Sequence, residues 1–152
     1  MGLIVCDIDG TLTKVGDRLK CLKQSPKDWD SFYARCGEDK PNQKIINLVE
    51  NLNRCSRNDV LLLTGRRESC SSDTRLWLNT NAPGMYCSPI LFRENDDRRH
   101  DTEVKPELLS TYLWGHSLEQ GAVDFILEDR SSMVKKWREL GYTCLQVADG
   151  DF

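Results

Sequence analysis

The sequence predicts an α/β fold, in which a parallel sheet of about five strands is covered by helices on both faces. Short apolar runs alternate along the chain with stretches in which apolar residues recur at helical spacing. Strands that alternate with helices favour a parallel sheet, because each helix returns the chain to the edge where the next strand begins. A length of 152 residues suits one domain with its own core, and we expect a single domain over 1–152.

The apolar runs and the helical patterns predict the elements in order. The first run, Leu3–Cys6, contains no polar residue, as expected of a strand buried on both faces. Gly141 is well placed to end the last helix. Trp77, Trp114 and Trp137 lie in helical patterns and are expected in the core. The remaining predicted elements are a helix from 42 to near Arg57, a strand at 60–63, a helix at 71–79, a strand at 89–92, a helix around 104–113, a strand at 123–127, a helix around 133–140 and a strand at 142–147.

Residues 17–40 interrupt this alternation and are predicted to form a small cap insertion over the mouth of a site. The segment is irregular and polar, and it carries the aromatic residues Trp29, Phe32 and Tyr33. One short helix is expected within it, at about 27–36.

Composition and charge exclude some functions and favour a cytoplasmic protein. No apolar stretch approaches the roughly 20 residues of a membrane span, so no membrane association is predicted. No basic region precedes a long apolar segment at the N-terminus, so no secretory signal is expected. The net charge of -3 shows no general basic excess. The seven cysteines contain no CxxC pair, which indicates free thiols in a reducing cytoplasm rather than a zinc site or a disulfide framework.

Polar side chains follow several of the predicted strands directly. Ligands bind at the carboxyl ends of the strands in an open parallel sheet, so we expect these side chains to meet there. They are Asp7 and Asp9 after the first strand, Thr64 after the second, and Glu128 and Asp129 after the fourth. Lys105, at the start of the third helix, is expected to lie close to them.

This set of side chains suits phosphoryl transfer. A carboxylate that attacks a phosphate ester must overcome repulsion between two anions, and Mg²⁺ held by oxygen ligands removes that obstacle. The attacking carboxylate then forms an aspartyl-phosphate, while a second carboxylate moves the proton. A hydroxyl and a lysine stabilise the developing charge.

Each motif alone also has a structural explanation. The Asp7–Gly10 sequence occurs in tight turns, Thr64-Gly65 is common turn chemistry, and most helix lysines are solvated. Carboxylates such as Glu128 and Asp129 also favour helix N-termini. The occurrence of all the motifs in one chain, in this order, favours the site.

The motifs DIDGT at 7–11, LLLTGR at 61–66, Lys105 and ILEDR at 126–130 resemble those of the haloacid dehalogenase (HAD) phosphatase superfamily. The resemblance implies a Rossmann-like three-layer fold. It also implies that Asp7 is the nucleophile and Asp9 the general acid/base. Thr64 and Lys105 would bind the phosphoryl group. By the same resemblance, Asp7, the Asp9 carbonyl and Asp129 would hold Mg²⁺, supported by Glu128.

Further residues resemble the 3′-phosphatase domains of bacteriophage polynucleotide kinase-phosphatases, including the terminal sequence CLQVADGDF. This resemblance implies a 3′-phosphate at a DNA or RNA end, or on a 3′-nucleotide, as the substrate, and a 2′,3′-cyclic phosphate as a further one. The chain has no GxxxxGK[ST] loop, so no kinase half is expected in it, and the resemblance is compatible with a separate kinase or ligase as a partner. The implied substrate-binding residues are Arg18, Gly65, Arg66, Arg93, Asp101 and Arg130.

Two alternative functions stay open, namely a HAD phosphatase for a small free nucleotide or sugar phosphate, and a catalytically silent binding module. Two surface features also have two interpretations. Trp29 and Phe32 form either a small satellite core or a stacking platform for a terminal base. The polar loop that contains Arg98, Arg99 and His100 is either a solvated face or a track for a nucleic-acid strand.

Overall fold

The computed structural model describes residues 2–56 and 58–150. Two predictions therefore fall partly outside the described residues. These are the end of the first long helix near Arg57 and the last two residues of the terminal sequence.

The observed elements follow the predicted alternation of strands and helices. Short 3₁₀ turns occur at Asp17–Leu19, Cys36–Glu38, Glu68–Cys70, Pro83–Met85 and Gln120–Ala122. In chain order, the strands and helices are β1 (Leu3–Cys6), β2 (Thr13–Lys14), α1 (Lys20–Lys23), α2 (Trp29–Ala34), β3 (Lys40–Pro41), α3 (Gln43–Ser56), β4 (Asp59–Arg67), α4 (Ser71–Asn81), β5 (Ile90–Arg93), α5 (Asp101–Gly115), β6 (Val123–Glu128), α6 (Ser131–Glu139) and β7 (Cys144–Gln146).

The central sheet has five strands in the order β5-β4-β1-β6-β7, and every neighbouring pair is parallel. This arrangement confirms the predicted parallel sheet. β1 lies in the middle, so its carboxyl end opens between those of β4 and β6. From β1 the chain continues to β4 and β5 on one side of the sheet and then returns to β6 and β7 on the other side. The strand order therefore reverses beside β1, which is the type of position where open α/β sheets bind ligands.

Alternate residues of β1 pack against helices on opposite faces of the sheet. Ile4 and Cys6 belong to a core formed with α3 and α4, whereas Leu3 and Val5 belong to a second core formed with α5 and α6. The continuous apolar sequence of β1 therefore reflects burial on both faces. The two cores confirm the predicted three-layer architecture.

The segment between β1 and α3 contains more regular structure than its sequence indicates. β2 and β3 pair antiparallel as a small ribbon, and α1 and α2 lie between them. α2 confirms the short helix expected at 27–36, and the Asp28 carboxylate caps it by accepting from the Ser31 N–H at 2.9 Å.

Three local predictions are wrong. Strand β4 does not end before Thr64 but continues to Arg67, so Thr64 and Arg66 are strand residues. Helix α5 begins at Asp101, which places Lys105 in its second turn rather than at its start. Trp114 is 85% exposed, whereas Trp77 and Trp137 are buried. The position of Trp114 in α5 lies outside the apolar face of that helix, so its side chain points to solvent.

Within the described part of the chain, we find no helix long and apolar enough to cross a membrane.

Candidate active site

A cleft of about 380 Å³ opens at the carboxyl ends of the central strands, beneath the segment that contains α1 and α2. Asp7 and Asp9 reach it from the end of β1, Lys105 from α5, and Glu128 and Asp129 from the end of β6. Sequence-distant carboxylates and an ammonium group thus meet at one point, as their positions after the strands predict.

Lys105 joins two of these carboxylates at the base of the cleft. Its Nζ atom donates to Asp7 Oδ1 and to Glu128 Oε2, at 2.8 Å in both cases. All three side chains are buried. Burial alone would lower the Lys105 pKa, but the Asp7 and Glu128 carboxylates overcome that effect and raise it. The lysine is therefore charged at neutral pH.

The same region carries more negative charge than Lys105 can neutralise. Ligand oxygens of Asp7, Glu128 and Asp129 lie within 4.8 Å of one another, and all three residues are buried. Burial and the Glu128 carboxylate raise the pKa of Asp7, and the same causes raise the pKa of Asp129 to about 7. Raised carboxylate pKa values in a buried cluster indicate that a further cation would stabilise it. The donor set therefore fits Mg²⁺, which prefers carboxylate oxygens.

Asp9 is held by two buried arginines instead of joining the carboxylate cluster. Its Oδ1 atom accepts from Arg18 Nη2 at 2.6 Å and from Arg66 Nε and Nη2 at 2.9 and 2.5 Å. Burial would raise the Asp9 pKa, but Arg66 and Arg18 prevail and lower it to about 2. Without substrate, Asp9 is therefore an ionised carboxylate at neutral pH.

Asp39 completes this arginine network, and its role had no signal in the sequence. The Asp39 carboxylate accepts from Arg18 Nε at 2.9 Å and 3.0 Å and from Arg18 Nη2 at 2.5 Å. It also accepts from Thr13 at 3.2 Å and from Arg66 at 3.5 Å. Asp39 thus fixes the two guanidinium groups that hold Asp9. Its position in an irregular segment, far in sequence from both arginines, hid this contact.

A third ionic group lies along one wall of the cleft. Asp101 pairs through one oxygen with Arg93 and through the other with Arg130, the latter at 2.8 Å. The Arg93 Nη1 atom also donates to the Arg99 carbonyl at 2.6 Å. Burial would raise the Asp101 pKa, but the cations Lys105, Arg130 and Arg93 lower it. The three residues predicted at 93, 101 and 130 therefore form one connected group.

The backbone near the carboxylates requires glycine at position 10. Gly10 has a φ of +91°, and a Cβ atom there would lie 2.1 Å from Asp129 Oδ2. Only glycine combines this conformation with so close an approach. The Gly-Thr turn predicted after Asp9 therefore also lets the Asp129 carboxylate lie against the β1 turn.

Thr64 and Gly65 lie in the second half of β4, and Thr64 is not among the residues that line the cleft. The buried Thr64 hydroxyl accepts from the Arg66 backbone N–H at 3.1 Å. Gly65 lines the cleft, and its carbonyl accepts from the Tyr33 hydroxyl at 3.2 Å. This bond ties α2 to strand β4 at the cleft.

The arginines near the cleft fall into two groups. Among the described residues that line the cleft, neither Arg18 nor Arg66 appears, whereas Arg67 does. Arg67, which lines the cleft, was not singled out from the sequence. Successive residues of a strand point to opposite sides, so the extension of β4 separates Arg66 from Arg67. Direct phosphate binding by Arg18 and Arg66 stays a prediction.

A protein-family comparison matches residues 2–152 to the phosphatase domain of polynucleotide kinase PNKP. The chain belongs to this family. The match confirms the resemblance seen in the motifs and the prediction of a phosphatase.

A curated relative comes from Autographa californica nuclear polyhedrosis virus, where it is a predicted bifunctional polynucleotide kinase/RNA ligase. It is 26% identical to this chain over 137 residues, which are 90% of the chain and 18% of the relative. The chain thus spans less than a fifth of that protein.

Solved structures give the same picture of the fold. Chains in two structures of the Pnkp1/Rnl/Hen1 complex match 99% of this chain at 26% identity, with TM-scores of 0.76 and 0.74. This chain covers 43% and 47% of those chains. The class C acid phosphatase of Bacillus anthracis matches at 13% identity with a TM-score of 0.62, which supports the HAD-type fold alone.

Proposed function

We propose that the chain removes 3′-phosphates from DNA or RNA ends, or from 3′-nucleotides, through a covalent phosphate on Asp7. The buried group formed by Lys105, Asp7, Glu128 and Asp129 carries this proposal, because it places a nucleophile, a fixed cation and a potential metal site together. Membership of the PNKP phosphatase domain family supports the assignment of the substrate to nucleic-acid ends.

Asp7 is the proposed nucleophile. Its carboxylate lies at the base of the cleft, where Lys105 holds one oxygen at 2.8 Å. The second oxygen attacks phosphorus, so that an Asp7 O–P bond forms while the bond between phosphorus and the ester oxygen breaks. Lys105 keeps the attacking carboxylate in place and adds positive charge next to the transferring group.

Asp9 is the proposed proton carrier. It protonates the leaving alkoxide in the first step, and its carboxylate takes a proton from water in the second. Water then attacks phosphorus and releases Asp7 and inorganic phosphate. Since Arg66 and Arg18 hold the ligand-free pKa at about 2, the first step requires the pKa to rise when the substrate binds. The charge of the bound phosphate acts in that direction.

The residues that would hold Mg²⁺ are Asp7 and Asp129, with Glu128 as their support and the Asp9 carbonyl as a further ligand. When bound, the ion would neutralise the phosphoryl oxygens and reduce their repulsion of the nucleophile. The close approach between Asp129 and the Gly10 backbone supports this assignment, because it brings the carboxylate that follows β6 to the turn that follows Asp7.

The phosphatase is proposed to work with nucleic-acid kinase or ligase activities. The relatives are a viral polynucleotide kinase/RNA ligase and chains of an RNA repair complex. This chain corresponds to less than half of each. A 2′,3′-cyclic phosphate is included as a further proposed substrate.

Substrate preference tests this function. Phosphate release is measured from a 3′-phosphorylated oligonucleotide, the matching 5′-phosphorylated oligonucleotide and a panel of free sugar and nucleotide phosphates, each with Mg²⁺ and with a chelator. We expect Mg²⁺-dependent release and the highest kcat/KM on the 3′-phosphate. Preference for a free sugar phosphate would favour the small-molecule alternative. Release from none of the esters would favour a silent binding module.

A further inference from the structure

The three aromatic side chains of the cap region have different surroundings. Phe32 is buried, and the Arg18 guanidinium carbon lies 4.2 Å from its ring centroid. Tyr33 is anchored by its bond to the Gly65 carbonyl. Trp29 is 38% exposed and lines the same cleft as Asp7. Phe32 therefore acts as satellite core, whereas Trp29 keeps apolar surface open towards the site.

Its neighbours fix the position of the Trp29 ring. The ring meets Phe32 edge-on at 5.9 Å and lies nearly parallel to Tyr33, with 6.0 Å between centroids and 26° between the planes. Tyr33 is tied to Gly65, the residue after Thr64 in β4. The ring is thus coupled to the sheet edge that carries the reacting groups.

Two cations flank these rings. Lys27 Nζ lies 5.7 Å from the Trp29 centroid, and the Arg67 guanidinium carbon lies 4.9 Å from the Tyr33 centroid. Both cations line the cleft. Lys27 is exposed, so its flexible side chain can leave the ring and follow a new anion. A flat apolar ring can stack on a nucleic-acid base, and a mobile cation next to the ring can bind the phosphodiester attached to that base.

We propose that Trp29 stacks on the base of the 3′-terminal nucleotide, while Lys27 moves from the ring to the neighbouring phosphodiester. This inference rests on the proposed 3′-phosphatase function. Aromatic stacking accepts every base because each has a π face, so the site would recognise a terminal base without reading its sequence. A free sugar phosphate has no flat group to cover the ring.

An oligonucleotide whose terminal residue lacks a base tests the proposal. KM and kcat are measured on a 3′-phosphorylated oligonucleotide and on the same strand ending in an abasic 3′-phosphate. The proteins are the wild type, Trp29→Ala, Trp29→Leu, Trp29→Phe and the control Trp114→Ala. Trp114 is a matched control because it is 85% exposed and does not line the cleft.

The wild type should show a KM about tenfold lower on the base-bearing strand than on the abasic strand. Trp29→Ala and Trp29→Leu should bring this ratio close to one, and Trp29→Phe should restore most of it. The leucine variant keeps apolar bulk without an aromatic face, so it separates loss of stacking from loss of folding. Trp114→Ala should keep the wild-type ratio.

Two other outcomes overturn the proposal in distinguishable ways. If the wild type releases phosphate from both strands, and the KM ratio is the same in Trp29→Leu, stacking is refuted while the 3′-phosphatase function stands. If the wild type acts on neither strand but hydrolyses free sugar phosphates, the proposed function and the stacking site both fail.

Discussion

Replacing Asp39 with alanine should reduce both stability and turnover, because Asp39 holds the two arginines that bind Asp9. The substitution removes the carboxylate that accepts from Arg18 at 2.5–3.0 Å, in a network where the Arg18 and Arg66 side chains are almost fully buried. Removing one partner of a buried ion pair costs about 3–5 kcal/mol. For a protein of this size, that corresponds to a fall of about 6–20 °C in Tm.

The loss of turnover should appear mainly in kcat. Without Asp39, Arg18 loses its anchor, and Asp9 then loses the geometry that proton transfer requires. Misplacement of a reacting group by about 1 Å costs on the order of 100-fold in rate. Asp39→Asn should fall between the wild type and Asp39→Ala, because the amide retains an oxygen acceptor but not the charge.

Thermal unfolding and 3′-phosphate release are measured on Asp39→Ala, Asp39→Asn and the control Asp17→Ala. Asp17 belongs to the same segment, but its ion pair with Lys20 is exposed, so its removal should change neither Tm nor kcat measurably. A Tm and kcat for Asp39→Ala within error of Asp17→Ala would refute the positioning role of Asp39.

Three further predictions concern the carboxylate cluster and the core. Lys105→Met should reduce kcat by at least about 100-fold and lower Tm, because it leaves the buried Asp7 and Glu128 carboxylates without their lysine; unchanged kinetics would contradict this. Burial and the Glu128 carboxylate raise the Asp129 pKa from 3.8 to about 7. Between these pH values, Asp129 is therefore protonated in the folded metal-free protein but ionised in the unfolded chain. The stability of the metal-free protein should therefore fall as the pH rises between these values. Asp129→Asn should flatten that part of a Tm-against-pH profile recorded in chelator. Parallel profiles for the wild type and Asp129→Asn would contradict this prediction. Trp137→Ala should destabilise the fold by about 3–5 kcal/mol in chemical denaturation, because Trp137 is buried in the core. Its KM should stay within twofold of the wild-type KM, because Trp137 does not line the cleft. A large change in KM would contradict this separation of core and cleft.

The order of strands and helices could be predicted because their apolar periodicity reflects burial in one fold. Leu3–Cys6 has no polar residue since both of its faces meet helices. The same reasoning failed at Thr64–Arg67, where a strand continues through polar residues, among them Arg66, which donates to Asp9 of the candidate site. It also failed at Trp114, since the next position after a buried helix residue is turned by about 100° and faces away from the core.

The carboxylates of the candidate site were predictable where they follow apolar strands directly, as Asp7 and Asp129 do. Asp39 was not, because its contacts with Arg18 and Arg66 arise only when residues 17–40 fold against the sheet. Trp29 and Phe32 show the same limit. Both are aromatic residues of one short helix that borders the cleft, and only the structure shows that the Phe32 ring is buried whereas Trp29 is 38% exposed.

Covalent labelling of the protein tests the central claim most directly. A 3′-³²P-phosphorylated oligonucleotide is mixed with the protein and Mg²⁺, the reaction is quenched with acid within milliseconds, and label bound to the chain is mapped and counted. We predict that label appears on Asp7 and disappears in a chase with unlabelled substrate, and that Asp7→Asn neither acquires label nor releases phosphate. Phosphate release by Asp7→Asn at the wild-type rate would contradict the assignment of Asp7 as the nucleophile.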